Sequence, residues 1–186
     1  MFAIDDAFAD VVTSSTEPAL GAIRLAWWRE ALERLDSNSP PPEPRLQAAA
    51  AELLPRGVTG AMLARLEEGW ATLFDEEPDI ELVAARGEKL VEIGARLLGG
   101  TDELMSVAGR LHGYNSVFRR GLFPRHWPME EMHQLHRYRF PRSLRPLTAL
   151  ARLAARDAKL SPIVEPEATP GRAAALLSHR LFGIVA

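Results

Sequence analysis

Three aspartates, Asp5, Asp6 and Asp10, open the chain within the stretch DDAFAD, and the last two lie four residues apart. Carboxylates at that spacing on a helix are what Mg²⁺ and a diphosphate require, because the hard cation takes oxygen ligands and substrate phosphates complete its shell. At about 100° per residue, however, Ile4, Ala7, Phe8, Val11 and Val12 share one arc, whereas Asp6 and Asp10 fall with Thr13 on the opposite side. The spacing therefore predicts a solvated acidic face, with Asp5 alone nearer the edge of the core. The alternative, in which Asp5, Asp6 and Asp10 form the metal side of a Mg²⁺-dependent reaction, needs all three to converge.

Arg24 raises a different chemistry. It projects among Leu20, Trp27, Trp28, Ala31 and Leu35, in the middle of an apolar arc. A guanidinium there needs an interior carboxylate, a stem that snorkels to water, or a bound anion such as a phosphate. The adjacent Trp27 and Trp28 point about 100° apart, which suits one to the core and the other to a neighbouring helix or a cavity. On the polar strip of the same segment, Arg29/Glu33 and Glu30/Arg34 have the spacing of surface pairs.

Further along, HRYR at 136–139, PRSLR at 141–145, Arg152, Arg156 and Lys159 make a basic, partly amphipathic segment suited to phosphates or an acidic surface. His133 and His136 lie three apart and could hold a metal with Glu130, although a third strong ligand is missing. There is no glycine-rich phosphate loop, no G-x-S-x-G and no nucleic-acid recognition motif. The absence of cysteine excludes disulfides, thiolate metal sites and cysteine nucleophiles.

These residues need a scaffold, and the apolar periodicity is helical almost throughout. The pattern predicts an all-α chain with helices over 2–15, 18–35, 45–54, 59–75, 79–98, 102–119, 128–137, 143–158 and 170–183. SNSPPPEP at 37–44, LPRGVTG at 53–59 and SPIVEPEATPG at 161–171 punctuate it. Thr59 and Thr101 read as N-caps and Gly99-Gly100 as a helix stop. The length of 186 residues and 47% hydrophobic content suit one domain over 1–186. The net charge of −3 divides unevenly: residues 1–93 carry 8 Lys/Arg against 18 Asp/Glu, a balance of −10, and residues 94–186 carry 14 against 7, a balance of +7. Such halves either attract each other or turn a basic side toward an anionic ligand or surface. No run approaches the ~20 apolar residues of a membrane span, so a soluble or peripheral protein is expected, in the cytoplasm or at a membrane face.

With LGAIRLAWWREALERLD the chain resembles the squalene/phytoene synthase family, which carries a helix of this kind soon after its first aspartate-rich motif. It is most similar to the divergent bacterial members and to the branch of mitochondrial complex I assembly factors. The likeness continues in PPPEPRLQAAA, RGEKLVEIGARLLGG and RRGLFP, and the helix that opens the family domain lacks a counterpart. The resemblance implies an isoprenoid-synthase-like helical bundle, truncated at the N-terminus. Active members hold Mg²⁺ and two prenyl diphosphates between two aspartate-rich helices. Here the first motif falls on Val12, Thr13, Ser14, Ser15 and Thr16, without aspartate. At the second, LHGYNSVFR supplies Asn115 where the family has an asparagine and Arg119 near the place of the first aspartate, and no carboxylate occurs between Glu103 and Glu130.

The resemblance thus implies a protein without catalytic residues or a metal. Arg24, Trp28, Tyr114, Asn115 and Arg119 are its candidate ligand-pocket residues, for an isoprenoid or lipid. It also implies a possible protein partner at a respiratory or other membrane complex, and no nucleic acid. The enzyme alternative is a head-to-head prenyl transferase with an atypical Mg²⁺ site at Asp5, Asp6 and Asp10.

Overall fold

The computed structural model describes residues 1–122, 129–161 and 163–186, and within these every regular element is helical. The only strand-like pairing among them is an isolated antiparallel bridge between Arg139 and Ile184. The chain forms two compact units, Met1–Arg86 and Gly87–Ala186.

In the first unit, α1 (Phe2–Ser14) buries Ile4, Ala7, Phe8, Val11 and Val12, the arc its sequence sets apart. It packs on α2 (Pro18–Arg34), α3 (Pro44–Glu52) and the short α5 (Glu68–Ala71), while α2 also packs on α4 (Gly60–Ala64). Thr59 caps α4 as expected, its hydroxyl accepting from the Met62 amide at 3.1 Å.

The expected single helix over 59–75 is interrupted. Leu66 and Glu67 donate to the carbonyls of Leu63 and Ala64, which tightens the chain into i→i−3 turns, and α5 then runs into a 3₁₀ turn at Thr72–Phe74. Gly69 sits in this irregular stretch, where a Cβ would lie 2.6 Å from the Leu82 carbonyl oxygen and equally close to the Arg86 stem. Only a residue without a side chain allows that approach.

In the second unit, the C-terminal part of α6 (Ile80–Leu97) meets α7 (Met105–Arg119) through paired glycines: a Cβ on Gly109 would lie 2.6 Å from the Gly87 carbonyl oxygen. α9 (Arg145–Leu160) packs on both α7 and α10 (Pro170–Phe182) and turns Leu147, Ala151, Ala154 and Ala155 inward, and α7 also packs on α8 (Met129–Gln134). α6 stops at Gly99, whose φ of +64° lets Gly100 donate back to the Ala95 carbonyl.

The expectation of Thr101 as an N-cap is corrected. α7 starts later, and Asp102 accepts from the Leu104 amide and from the Tyr138 hydroxyl at 2.9 Å. A carboxylate at 102 provides a stronger local acceptor than the preceding hydroxyl. The helix expected over 128–137 is shorter in the described residues, and residue 128 lies outside them. Beyond Gln134 the chain turns, and Arg137 takes a positive φ of 59°. The C-terminal residues fold back, with Phe140 donating to the Gly183 carbonyl and Val185 fully buried.

Candidate functional site

The guanidinium expected in the interior at Arg24, with a carboxylate, a bound anion or a stem reaching water, is not at that position. Arg24 is exposed, and its guanidinium reaches the hydroxyls of Ser14 and Ser15 at 3.4 and 3.3 Å. The expectation of a buried Arg24 is corrected for a geometric reason. α2 buries the stripe Gly21, Leu25, Trp28 and Leu32 and leaves Leu20, Ile23 and Trp27 outside, at 55%, 66% and 49% exposure. Apolar residues cover more than half of this helix, so periodicity alone does not choose which side packs. Trp28 is buried, edge-on to Phe8 and to Trp27. Arg29 lies 3.8 Å from the buried Glu67 instead of pairing with Glu33, whereas the expected Glu30–Arg34 pair forms at 3.1 Å.

The interior arginine of the first unit is Arg86. Its Nη1 meets both oxygens of Asp5 at 2.6 and 2.7 Å, its guanidinium carbon lies 4.1 Å from the centre of the Trp70 ring, and Trp70 Nε1 donates to the same carboxylate at 2.8 Å. Asp5 is therefore buried and partnered, a correction to its reading as a lone residue at the core edge. Asp6 and Asp10 are exposed on the other side of α1, as the wheel indicates, and Asp10 pairs with Arg45 at 3.3 Å. Asp5 thus lies buried against Arg86 while Asp6 and Asp10 face solvent, so the three carboxylates of the alternative Mg²⁺ set are not brought together here. Among the described residues no group of three or more His, Asp or Glu could hold a metal ion, the exposed His133, His136 and Glu130 included.

In the second unit, two of the candidate residues come together around a carboxylate that sequence reasoning does not single out. Asp157 of α9 is fully buried. Its Oδ1 accepts from Arg172 Nη1 at 2.6 Å, and its Oδ2 accepts from Asn115 Nδ2 and Arg119 Nη1, each at 3.1 Å. Arg119 also donates to Glu167 Oε1 and to the Glu165 carbonyl, both at 3.0 Å, and Arg172 reaches Glu167 at 3.3 Å. Glu165 receives Arg156 Nε at 2.6 Å and the Thr169 hydroxyl at 2.6 Å. The Arg156 guanidinium, aided by that hydroxyl, holds the Glu165 carboxyl down at about 2.

A cleft of about 310 Å³ lies beside this network, lined by Asn115, Arg119, Arg172 and Glu167 together with Ser116, Leu150 and Leu153. The Asn115 Oδ1 is buried and has no hydrogen-bond partner among the described residues. Tyr114 is buried beside them on α7, and its hydroxyl meets Arg110 at 3.4 Å; it does not line the cleft. Trp28 and Arg24 belong to the other unit.

Sequence reasoning misses Arg86, Asp157 and Arg172. A signal for the first exists: Arg86 stands three residues after Val83 and four before Leu90, both fully buried. Asp157 and its partners are spread over three helices, α9 for the carboxylate, α7 for Asn115 and Arg119 and α10 for Arg172, and no single-helix pattern carries that. Of the expected basic segment, Arg145 and Arg152 are turned to structural use, donating to the carbonyls of Phe140, Arg180 and Leu181 and to that of Val185.

No family model matches the chain, and no curated protein or solved structure matches it.

Proposed function

We propose that this chain is a non-catalytic protein similar to the squalene/phytoene synthases that works by binding, taking an isoprenoid or other lipid as ligand or assisting the assembly of a respiratory or membrane complex. The observation that carries this reading is the state of two buried aspartates, Asp5 and Asp157. Asp5 is met by Arg86 and Trp70, and Asp157 by Arg119, Arg172 and Asn115, so each is neutralised by the chain itself. Prenyl transfer by the family's route needs carboxylate oxygens offered to Mg²⁺ on facing helices. At Arg119, where the resemblance places an aspartate, the charge is reversed and already paired.

The test is direct. The purified chain, given farnesyl or geranylgeranyl diphosphate with Mg²⁺ or Mn²⁺, is expected to release no diphosphate above a heat-killed control, and turnover overturns the reading. Mass spectrometry of small molecules retained through purification then identifies the ligand class.

A further inference from the structure

The geometry points to a second surface, the face formed by the first turns of α9 and the last turns of α10, as a docking site for an anionic lipid bilayer. An open cleft of about 650 Å³ separates these turns; Pro146, Ala149, Leu176 and Leu181 give it apolar walls, and Arg142, Arg145 and Arg180 stand around it. Arg145 is fixed by its bonds to the Phe140, Arg180 and Leu181 carbonyls. Arg142 and Arg180 are exposed, and their guanidinium groups make no hydrogen bond or ion pair to any described residue.

Beside the cleft, Leu177, Leu181 and Phe182 are 58%, 59% and 55% exposed. From Ala173 to Phe182 every exposed residue of α10 is apolar except Ser178 and Arg180. Charge selects the occupant. No Asp or Glu occurs between Glu131 and Asp157 or after Glu167, and Asp157, Glu165 and Glu167 are paired with arginines near the opposite end of α10. Leucines and a phenylalanine flanked by uncompensated arginines match the acyl boundary and phosphates of an anionic leaflet. A nucleic acid would leave the apolar side chains nothing to bury. The exposed stripe of α2 lacks this match, since Glu17, Glu30 and Glu33 share its helix and its N-terminal border and the unit around it, residues 1–86, carries 7 Lys/Arg against 16 Asp/Glu, a balance of −9. The inference concerns a surface remote in sequence from Asn115 and Arg119, so it stands or falls separately from the ligand reading above.

The full chain is mixed with sedimentable vesicles of phosphatidylcholine alone or with about a third phosphatidylglycerol, with the anionic lipid expected to increase binding about tenfold or more, and added salt expected to reverse it. Arg142→Gln with Arg180→Gln should remove the anionic preference, and Leu177→Ser with Leu181→Ser should weaken binding to both vesicles. All four positions are exposed, so an unchanged melting temperature certifies the fold of each variant. Absence of vesicle binding, equal binding to both compositions, or wild-type behaviour in both double variants overturns the proposal. Capture by soluble polyglutamate without vesicle binding would assign the face to an acidic protein and overturn it equally.

Discussion

Asp5 in residues 1–86 and Asp157 in residues 87–186 meet the same physical problem, a carboxylate removed from water, in two ways. Asp5 is held in a closed set with Arg86 beneath the Trp70 ring, and the Arg86 side chain is wholly buried. Asp157 is held by two arginines and an amide, and both arginines continue to Glu167, which is largely exposed. The first arrangement sets one wholly buried guanidinium against both carboxylate oxygens. The second shares the compensation between two guanidinium groups, Arg119 and Arg172, with a path to solvent along which charge can be screened and rearranged. Removing one partner of a buried pair is costly mainly because the other charge stays behind uncompensated. The two sites should therefore differ in how they respond to loss of a single arginine.

The largest expected effect is at the closed site. Arg86→Met removes the guanidinium that meets both Asp5 oxygens and should destabilise by about 3–5 kcal/mol, measured by urea unfolding followed by tryptophan fluorescence, to which Trp70 contributes. Arg172→Met leaves Asp157 with Arg119 and Asn115, and the loss of one charge-assisted bond should cost about 1–3 kcal/mol. The combination of Arg119→Met with Arg172→Met should exceed the sum of its parts, because only then does Asp157 lose both arginines bonded to it. Equal costs for the two single changes would erase the distinction between the closed and the distributed site.

Acid sharpens the comparison, since two groups of the second unit, Glu165 and His179, have titrations displaced downward within the acid range. Glu165 titrates at about 2, so its bond to Arg156 contributes stability above the ordinary carboxylate range, lost as pH falls from about 4.5 toward 2. His179 is displaced downward by burial, with Arg145 and Arg152 adding repulsion, and its Nδ1 bond to the Ile184 carbonyl opposes the shift. Because Nδ1 faces a carbonyl 2.9 Å away, it carries the proton, and Nε2 accepts from the Thr148 hydroxyl. A lowered imidazole pKa means that the unfolded chain binds the extra proton first. The stability from a neutral His179 is thus present above about pH 6.5 and declines as pH falls below it. The advantage of wild type over His179→Gln should shrink between pH 7.5 and 5.5, and that over Glu165→Gln between pH 4.5 and 2.5, both in thermal melts. A wild-type advantage that grows on acidification in either window would contradict these assignments.

The parts of this arrangement written in local periodicity are legible in the sequence, and the parts made by distant pairing are not. α1 separates Ile4, Phe8 and Val11 from Asp6 and Asp10 because its two faces differ in polarity, and the break at Gly99-Gly100 follows from a positive φ that glycine favours. α2 offers no such contrast, and Arg24 and Trp27 go outward where the apolar arc suggests burial. The expectation of an interior guanidinium, served by a carboxylate, an anion or a snorkelling stem, falls on a helix whose Arg24 is exposed. The pairing of Asp5 with Arg86 spans 81 positions, and that of Arg119 with Asp157 spans 38. Asn115 and Arg119 share the cleft beside Asp157 because they are four apart on α7, which is the one feature of the candidate site that spacing carries.

The smallest expected effect belongs to the residues with which the chain first invites a metal. Asp6 and Asp10 lie on the solvent side of α1, and Asp10 is met by Arg45 at 3.3 Å with both side chains substantially exposed. A surface pair of this kind contributes between nothing and about 1 kcal/mol, since water screens it and two mobile side chains must be held. Replacing Asp6 and Asp10 together by Asn keeps the shape and removes the charge, so the change in stability should stay within about 0.5 kcal/mol. If the pair instead formed part of a Mg²⁺ site, adding Mg²⁺ would raise the wild-type melting temperature by mass action and leave the double variant unmoved. Identical Mg²⁺ responses are expected, because Asp5, the carboxylate needed to complete the set, faces away and is held by Arg86 and Trp70. A Mg²⁺-dependent stabilisation confined to the wild type would require α1 to rotate and release Asp5 from Arg86, and the closed site would then be a switch and not a fixture of the core.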